Sequence, residues 1–450
     1  MGLLLCVNTF AQTLSKRLQT VYQMFESDSQ LSNAISSLYV IDANTGQVVF
    51  DRNSKIGLAT ASTLKVVTAA TAYELLGKDF RYETKFGYVG SIKNKTLGDF
   101  YLKASGDPTF GSWRWKITSD TFIAQQIIST IKKLNITGFN SISIDDTGWN
   151  SESIPDGWIW QDIGNYYGAG SGGFNWRENQ FDIIMKSGKE IGDAVTIVKT
   201  NPKSLVPLTC VVTSAPKGSG DNSYVYYPLT DRNGIIRGTI PVNENAFAIA
   251  ASNPVPKNTF TTFIIENLAS KLKIGQVNYQ SNSKDTTVLV SHLSPVLDSI
   301  IHWFLKKSIN LYGEALVKTI AFQKNGLGET GDGVQIVKNF WKEKGIAPTE
   351  LNMVDGSGLS PLNRITTHAQ VMVLKFAAGQ PWFNGYYDAF PEYNGMKMKS
   401  GTINGVKGFC GYQKSKDGNE YIFSFLVNNY SGSSSTVVQK MYTVLNELKN

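Results

Sequence analysis

Ser62 and Lys65 are the first residues whose types and spacing could do chemistry. They lie in a stretch from Ala59 to Gly77 in which apolar residues recur near helical spacing and a glycine ends the pattern. Side chains three residues apart share one face of a helix, so the serine hydroxyl and the lysine amine can meet. A serine in the first turn also lies in the positive field of the helix N-terminus. The stretch therefore predicts a nucleophile with an amine beside it.

The Ser-x-x-Lys pattern is not specific by itself, because further copies occur at Ser129–Lys132, Ser214–Lys217, Ser270–Lys273 and Ser281–Lys284. Three later segments add to it: Ser308-Ile309-Asn310, Asp355–Ser360 and Lys399-Ser400-Gly401-Thr402. Each segment is weak alone, and a second Lys-Ser-Gly occurs at residues 186–188. Together and in this order, they predict one composite site.

The elements that must position these segments are predicted at both ends of the chain. Ahead of Ser62 we expect a helix over Leu14–Phe25 and a hairpin formed by Ser37–Ile41 and Val48–Asp51. After Ser308 we expect helices over Leu311–Phe322, Asp332–Lys344 and Thr436–Leu448, and a strand over Tyr421–Asn428. Between them lie mostly strand-like runs, with a long ordered loop over Trp149–Gln180.

Composition excludes several classes of function. The chain has 450 residues, 42% hydrophobic and 18% charged, which is a globular profile with room for two or three domains. Its net charge is +7, but Lys and Arg are scattered, so nucleic acid is not an expected partner. His292, His302 and His368 are isolated from metal-ligand motifs, and we expect neither a metal nor a cofactor. No apolar stretch approaches the length of an integral membrane span.

The N-terminus and the cysteines give information about the cellular compartment of the protein. Residues 1–12 resemble the end of a secretory signal, with a short apolar run followed by small residues at Thr9 and Ala11, and we expect a truncated signal peptide there. Outside this segment the chain has Cys210 and Cys410. We expect two buried thiols, and the alternative is a disulfide between them.

The motifs resemble the three marks of penicillin-binding proteins and serine β-lactamases, which are Ser-x-x-Lys, Ser-x-Asn and Lys-Thr/Ser-Gly. Further segments are similar to one branch, the D-alanyl-D-alanine carboxypeptidase/endopeptidase family of class C, type-4 penicillin-binding proteins (peptidase family S13). These segments are Gly106-Asp107-Pro108, His292–Pro295, Asn310–Leu316 and Asp355–Ser360. The resemblance spans roughly residues 35–450.

The resemblance implies an α/β (α+β) fold of the penicillin-binding, serine β-lactamase-like transpeptidase type, with an antiparallel sheet flanked by helices. It implies a catalytic domain of residues 13–80 plus 280–450, interrupted by a strand-rich insertion at 81–279. The implied activity is that of a serine D-Ala-D-Ala carboxypeptidase or D,D-endopeptidase, which cuts peptidoglycan stem peptides or crosslinks through an acyl-enzyme. β-Lactams would be covalent inhibitors, and the location would be periplasmic or otherwise extracytoplasmic.

The same resemblance implies roles for the catalytic residues. Ser62 would be the nucleophile, Lys65 its base, and Ser308 the relay of a proton to the leaving amine. Asn310 would hold Lys65 and the substrate amide.

Binding of the substrate is implied to involve the third motif. Lys399, with the hydroxyls of Ser400 and Thr402, would receive the terminal carboxylate. The backbone N–H groups of Ser62 and Thr402 would form the oxyanion hole.

The insertion contributes a further candidate for substrate binding. Asp145 or Asp146, with Trp149, would meet the amine end of the stem peptide, and an Asp that caps a turn is the alternative. The chain departs from the family pattern at Thr60, where Pro is frequent, and at Ser400, where Thr is usual. It also has Pro361 where Arg often stands.

Two other functions are weighed against this one. A β-lactamase would need an efficient deacylating water, and nothing in the sequence marks one. A non-catalytic module that binds wall peptides would not need the intact Ser62, Lys65, Ser308, Asn310 and Lys399. The pattern therefore favours a hydrolase, with the balance of carboxypeptidase and endopeptidase activity open.

Overall fold

The computed structural model describes residues 3–229, 233–268, 273–278 and 286–450, with the backbone alone for 3–13 and 273–278. The chain forms two compact units. The first consists of Met1–Lys78, Asp298–Ile309 and Thr330–Asn450, and the second of Asp79–Leu297 and Asn310–Glu329. The predicted insertion, 81–279, lies within the second unit, which also takes in 280–297 and 310–329.

The strands in the first unit are β1 (Ile35–Asp42), β2 (Val48–Arg52), β15 (Leu351–Asn352), β16 (Arg364–Ile365), β17 (Glu392–Tyr393), β18 (Met396–Ile403), β19 (Val406–Lys414) and β20 (Glu420–Asn428). Those in the second unit are β3 (Glu83–Val89), β4 (Thr96–Lys103), β5 (Gly138–Asp145), β6 (Gln180–Lys186), β7 (Thr196–Asn201), β8 (Leu208–Cys210), β9 (Thr213–Ala215), β10 (Asn222–Tyr226), β11 (Gly234–Pro241), β12 (Phe247–Ser252), β13 (Lys273–Asn278) and β14 (Thr286–Leu293).

The α-helices are α1 (Leu3–Glu26), α2 (Lys65–Leu76), α3 (Asp120–Lys133), α4 (Trp160–Ile163), α5 (Pro256–Leu268), α6 (Leu297–Lys306), α7 (Asn310–Asn325), α8 (Thr330–Glu343), α9 (Thr367–Ala378), α10 (Phe383–Asp388) and α11 (Ser434–Leu445). Short 3₁₀ turns include Ala61–Leu64, Tyr166–Gly168 and Arg177–Asn179.

The first unit is built around a six-stranded antiparallel sheet in the order β17-β18-β19-β20-β1-β2. β1 and β20 pair from Ile35 with Asn428 to Asp42 with Tyr421, so the two ends of the chain meet in its interior. Within β20, residues 421–427 are all buried, and its sequence is a nearly continuous apolar run. A strand of this kind requires cover on both faces of the sheet.

Helices supply that cover. On one face, α1 and α11 bury apolar side chains such as Tyr22 and Met441 against Phe425 of β20. Ser424 points to the opposite face, because neighbouring residues of a strand alternate. There its hydroxyl donates to Oε1 of Gln370 in α9 (2.6 Å). Nε2 of the same glutamine donates to the Thr63 hydroxyl (2.9 Å), so a buried amide ties the sheet to the turn that carries Ser62.

The described residues of the second unit form three sheets. The largest has the order β13-β5-β4-β3-β14, with β5 parallel to both β13 and β4 and the other pairs antiparallel. A three-stranded antiparallel sheet has the order β12-β6-β7. A four-stranded sheet pairs β11 with β10 antiparallel and with β8 and β9 parallel. These sheets agree with the strand-like runs that the sequence predicts for the middle of the chain.

Several local predictions are confirmed. The helix predicted over Leu14–Phe25 lies in α1, and the predicted hairpin is β1–β2. Gly77 ends α2 with φ +84°, a conformation that glycine adopts readily. The loop predicted over Trp149–Gln180 is largely irregular but includes α4 and two 3₁₀ turns.

The expected signal segment, residues 1–12, cannot be compared in full. Residues 1 and 2 lie outside the described residues, and 3–12 belong to α1 with their side chains undescribed. Cys210 is partly buried, Cys410 is buried, and both are free thiols. Among the described residues, no helix is both long and apolar enough to cross a membrane.

Candidate active site

Ser62 lies in the 3₁₀ turn that leads directly into α2, and Lys65 is the first residue of that helix. Lys65 Nζ is 2.9 Å from Ser62 Oγ, so the predicted pairing of hydroxyl and amine is present. Ala61, immediately before the serine, has φ +46°, which is unusual for a residue with a side chain. Backbone strain of this kind persists where the surrounding structure enforces it, often at functional sites.

Lys65 is fully buried, whereas Ser62 is partly exposed. Nζ also donates to the carbonyl oxygen of Ser357 (2.7 Å) and lies 5.8 Å from the ring centroid of Phe304. The amine is therefore held by these two oxygen atoms, and Ser62 is the partly exposed member of the pair.

The Asp355–Ser360 loop supplies that carbonyl, and its shape is set by Asp355. The carboxylate accepts from the backbone N–H groups of Gly358 and Ser360 (both 2.7 Å). Gly358 has φ +82°, and a Cβ there would lie 2.0 Å from the Ala61 carbonyl oxygen. Sequence reasoning counted the loop among the segments of the composite site but assigned no role to its residues. The Asp-Gly-Ser-Gly pattern, which is typical of a tight loop, was the available signal.

The third motif lies on β18, against the turn of Ser62. A Cβ built on Gly401 would lie 2.5 Å from the carbonyl oxygen of Thr60 and 3.0 Å from the backbone nitrogen of Ser62. Only glycine permits this approach of strand to nucleophile. The first and third motifs thus meet, as the sequence predicted.

Lys399 and Thr402 differ in their surroundings. Lys399 is 1% exposed, its Nζ donates to the Ser400 carbonyl oxygen (2.8 Å), and burial lowers its pKa to about 7. Thr402 is exposed and its hydroxyl accepts from Lys407 Nζ (2.6 Å). Lys407, opposite Thr402 in the β18–β19 hairpin, was missed by sequence reasoning, although the hairpin register would have indicated it.

The serine and the asparagine of the Ser-x-Asn motif belong to different units. Ser308, the predicted proton relay, follows α6 in the first unit and has a left-handed φ of +57°. Asn310 begins α7 in the second unit, is 6% exposed, and donates through Nδ2 to the Tyr167 carbonyl oxygen (2.7 Å).

The first turn of α7 is held by a buried carboxylate that sequence reasoning missed. Glu178 accepts from the hydroxyl of Tyr312 (2.7 Å), from that of Ser112 (2.7 Å) and from Arg114 Nε (2.7 Å). Burial first, and then the charge of Glu178, raise the pKa of Tyr312. Glu178 stands in a run of three left-handed residues, 177–179, a conformation that a sequence of Arg, Glu and Asn gives no reason to expect.

Asp145 and Trp149 lie in the second unit. Other residues of the protein already take up most of the hydrogen-bonding capacity of Asp145 and most of the surface of Trp149. The Asp145 carboxylate accepts from Tyr101, from Lys103 (3.0 Å) and from the backbone and hydroxyl of Thr147. Trp149 is 8% exposed and stacks on Phe322 at 4.8 Å. Both residues line a cavity of about 550 Å³. Their role toward a substrate stays a prediction, and turn capping by Asp145 is visible directly.

Comparison with known proteins adds to this geometry. The profile of the family described as D-Ala-D-Ala carboxypeptidase 3 (S13) matches residues 18–448. The chain belongs to this family. It is 26% identical over 459 residues to a D-alanyl-D-alanine carboxypeptidase of Actinomadura sp., covering 93% of this chain and 82% of that protein. It is 24% identical over 416 residues to D-alanyl-D-alanine carboxypeptidase DacB of Haemophilus influenzae, covering 86% and 84%.

A solved structure is similar over nearly its whole length. Penicillin-binding protein 4 of Haemophilus influenzae aligns with a TM-score of 0.82 at 21% identity, covering 96% of this chain and 99% of that one. The same protein in complex with a β-lactam gives a TM-score of 0.76 at 20% identity and the same coverage. The likeness in structure confirms the predicted fold class. Membership of the S13 family confirms the predicted enzyme class, a serine D-Ala-D-Ala carboxypeptidase.

Proposed function

We propose that this enzyme cleaves the D-Ala-D-Ala bond of peptidoglycan stem peptides, or the equivalent D,D-crosslink, with Ser62 as nucleophile. The observation that carries the assignment is the 2.9 Å contact between Ser62 Oγ and the buried Lys65 Nζ. The close approach of Gly401 to the backbone nitrogen of Ser62 supports it, because β18 then lies against the turn that carries Ser62.

In acylation, Ser62 Oγ attacks the carbonyl carbon of the penultimate D-Ala, and its proton passes to the amine form of Lys65. The tetrahedral oxyanion is received by the backbone N–H groups of Ser62 and Thr402. The C–N bond then breaks, the proton returns through Ser308 to the leaving amine, and an ester to Ser62 remains. Water completes the cycle by hydrolysing the ester, which restores the serine hydroxyl.

The remaining motif residues bind the substrate. Lys399, with Ser400 and Thr402, receives the terminal carboxylate, and Asn310 orients Lys65 and the substrate amide. A β-lactam presents a strained amide and a carboxylate in the same arrangement, so it would acylate Ser62. The β-lactam complex of the Haemophilus influenzae protein supports this step.

The location follows from the substrate. Peptidoglycan lies outside the cytoplasmic membrane, so we propose an extracytoplasmic, periplasmic enzyme directed there by the apolar segment at residues 1–12. Attraction of a chain of net charge +7 to an anionic wall fits this location.

The test is Ser62→Ala. We expect the variant to lose covalent labelling by a fluorescent penicillin completely while keeping its melting temperature, because Ser62 is partly exposed and the change removes a single hydroxyl. Intact-mass measurement of the wild type should show one added penicillin, mapped to the peptide that carries Ser62. Labelling of a folded Ser62→Ala protein would reject the assignment.

A separate experiment distinguishes the two activities. Mass spectrometry of the products that the wild type releases from crosslinked muropeptides would separate carboxypeptidase from endopeptidase cleavage.

A further inference from the structure

The second unit carries a row of aromatic side chains that the catalytic mechanism does not use. We call it the aromatic strip, and it consists of Trp160, Tyr166, Tyr167, Tyr224 and Tyr226. Trp160 is 43% exposed and Tyr166 is 56% exposed. The other three are half-buried. Large aromatic residues exposed together usually mark a binding surface.

The strip is held rigidly. The indole N–H of Trp160 donates to the Tyr227 carbonyl oxygen (2.7 Å), and its ring lies 4.9 Å from that of Tyr226. The segment that follows lies directly on β10, because a Cβ on Gly164 would be 2.0 Å from the Val225 carbonyl oxygen. Rings fixed in this way lose little conformational entropy when a ligand stacks on them.

Arg237 adds polar character to the same face. It lies opposite Tyr224 in the register of β10 and β11, and it is exposed. The centre of its guanidinium group is 4.1 Å from the ring centroid of Tyr226 and 5.6 Å from that of Trp160. A guanidinium stacked on rings keeps its edge N–H groups available to acceptors. The surface therefore suits a ligand with apolar C–H faces and uncharged oxygen acceptors.

The strip is continuous with a residue of the proposed site. The carbonyl oxygen of Tyr167 accepts from Asn310 Nδ2 (2.7 Å), and the rings of Tyr166 and Tyr167 lie 5.4 Å apart. A ligand on the strip would thus lie within the unit that carries Asn310. The proposed substrate also contains a sugar chain, to which the peptide is attached and which differs from the peptide in chemistry.

We propose that the aromatic strip binds the glycan chain of peptidoglycan, as a subsite for N-acetylated hexose units. The proposal rests on the proposed function, which supplies the substrate class. The C–H face of a pyranose ring is apolar and weakly positive, and it stacks on the negative face of an aromatic ring. The acetamido carbonyl is an acceptor for Arg237. Binding of the glycan would raise the local concentration of stem peptides at the enzyme.

The test uses the full chain and a sugar without a peptide. Chitotetraose, four β-1,4-linked N-acetylglucosamine units, is titrated calorimetrically into wild type, Trp160→Ala, Arg237→Ala and Trp113→Ala. Trp113 is the matched control, because it is 51% exposed, lies in the same unit and has the guanidinium of Arg114 at 5.6 Å. We expect affinity to fall about tenfold in Trp160→Ala, the loss of one stacked ring, and to change less than about twofold in Trp113→Ala.

A second readout separates this proposal from the proposed function. Release of D-Ala from intact sacculi should fall about tenfold in Trp160→Ala and in Arg237→Ala, while penicillin acylation and cleavage of a sugar-free acyl-D-Ala-D-Ala peptide stay within about twofold. No binding of chitotetraose by wild type, or equal losses in Trp113→Ala, would overturn the glycan assignment. Failure of wild type to be acylated by penicillin would instead overturn the proposed function, and the sugar titration would still be decisive. Arg237→Ala alters one exposed side chain, so it keeps the test valid if Trp160→Ala does not fold.

Discussion

At the scale of single residues, the proposed site depends on two buried lysines with different neighbours. Lys65 Nζ lies against Ser62 Oγ and the Ser357 carbonyl oxygen, which fix the nitrogen beside the hydroxyl. Lys399 Nζ donates to the carbonyl of the next residue on its own strand. The first arrangement suits proton transfer with the nucleophile, and the second suits attraction of an anion.

Lys65→Arg tests the first arrangement. Arginine keeps the charge but cannot lose its proton under these conditions, so it cannot act as a base. We expect the rate of acylation by penicillin to fall about 100-fold or more, the usual contribution of a positioned base. The measurement is stopped-flow acylation, with the exposed Lys55→Arg as a control that should match wild type. Retention of more than about a tenth of wild-type acylation would make Lys65 structural.

The pH dependence tests the second arrangement. Burial lowers the pKa of Lys399 to about 7, so above that pH the free enzyme increasingly holds a neutral amine. We expect kcat/KM for a peptide with a free carboxylate to fall as pH rises through about 7. A substrate whose terminal carboxylate is amidated should lack this basic limb. Identical profiles for the two substrates would exclude Lys399 as the carboxylate anchor.

The lowered pKa of Lys399 also predicts that replacing this lysine by an uncharged residue stabilises the protein. A lysine whose folded pKa is below its unfolded value favours unfolding at low pH, and stability rises with pH from about 7 to about 10.5. Lys399→Met removes the buried charge, so its melting temperature at pH 7 should exceed that of wild type by about 2 °C or more. The difference between the two proteins should narrow as pH approaches 10.

At the scale of elements, the approach of β18 to the turn of Ser62 is set by one glycine. In Gly401→Ala the added Cβ would clash with the Thr60 carbonyl oxygen at 2.5 Å and with the Thr63 nitrogen at 2.9 Å, so the strand must move away. We expect penicillin acylation to fall at least about tenfold, because the oxyanion donors separate. Gly331→Ala is the control, since it lies in α8 with open space around its Cβ.

The carboxylate that holds α7 gives an element-scale prediction for stability. Glu178→Gln removes the negative charge that pairs with the largely buried Arg114 and weakens the bond to Tyr312. Breaking a buried ion pair typically destabilises a protein by about 3 kcal/mol, so the melting temperature should fall by about 5 °C or more. Glu447→Gln breaks the more exposed pair with Arg17 and should change it little. Equal effects of the two variants would contradict a special role for Glu178.

Sequence reasoning was strongest where periodicity and glycines carry local information. It predicted α2 with its stop at Gly77, the β1–β2 hairpin and the meeting of Ser62 with the third motif. It missed what depends on long-range contact, such as the Ser357 carbonyl on Lys65. It also missed the left-handed run at 177–179, because three residues with side chains in that conformation oppose local preference and need tertiary contacts to hold them.

At the scale of the whole molecule, the second unit is more than an insertion between the first two motifs. It includes α7, whose Asn310 and Tyr312 bind groups of residues 167 and 178. A chain lacking 81–279 would therefore lose the partners of α7 along with the insertion. The helix α7 and the middle region therefore belong to one compact unit, even though they are separate in sequence.

The pairing of β1 with β20 has a consequence for biosynthesis. Ile35 pairs with Asn428, so during translation β1 is made long before β20, its partner in the sheet. At about 5–20 residues per second, this interval lasts on the order of tens of seconds. During that time β1 presents unpaired N–H and C=O groups beside apolar side chains that will be buried. The six-stranded sheet of the first unit can therefore close only after β20 has been made.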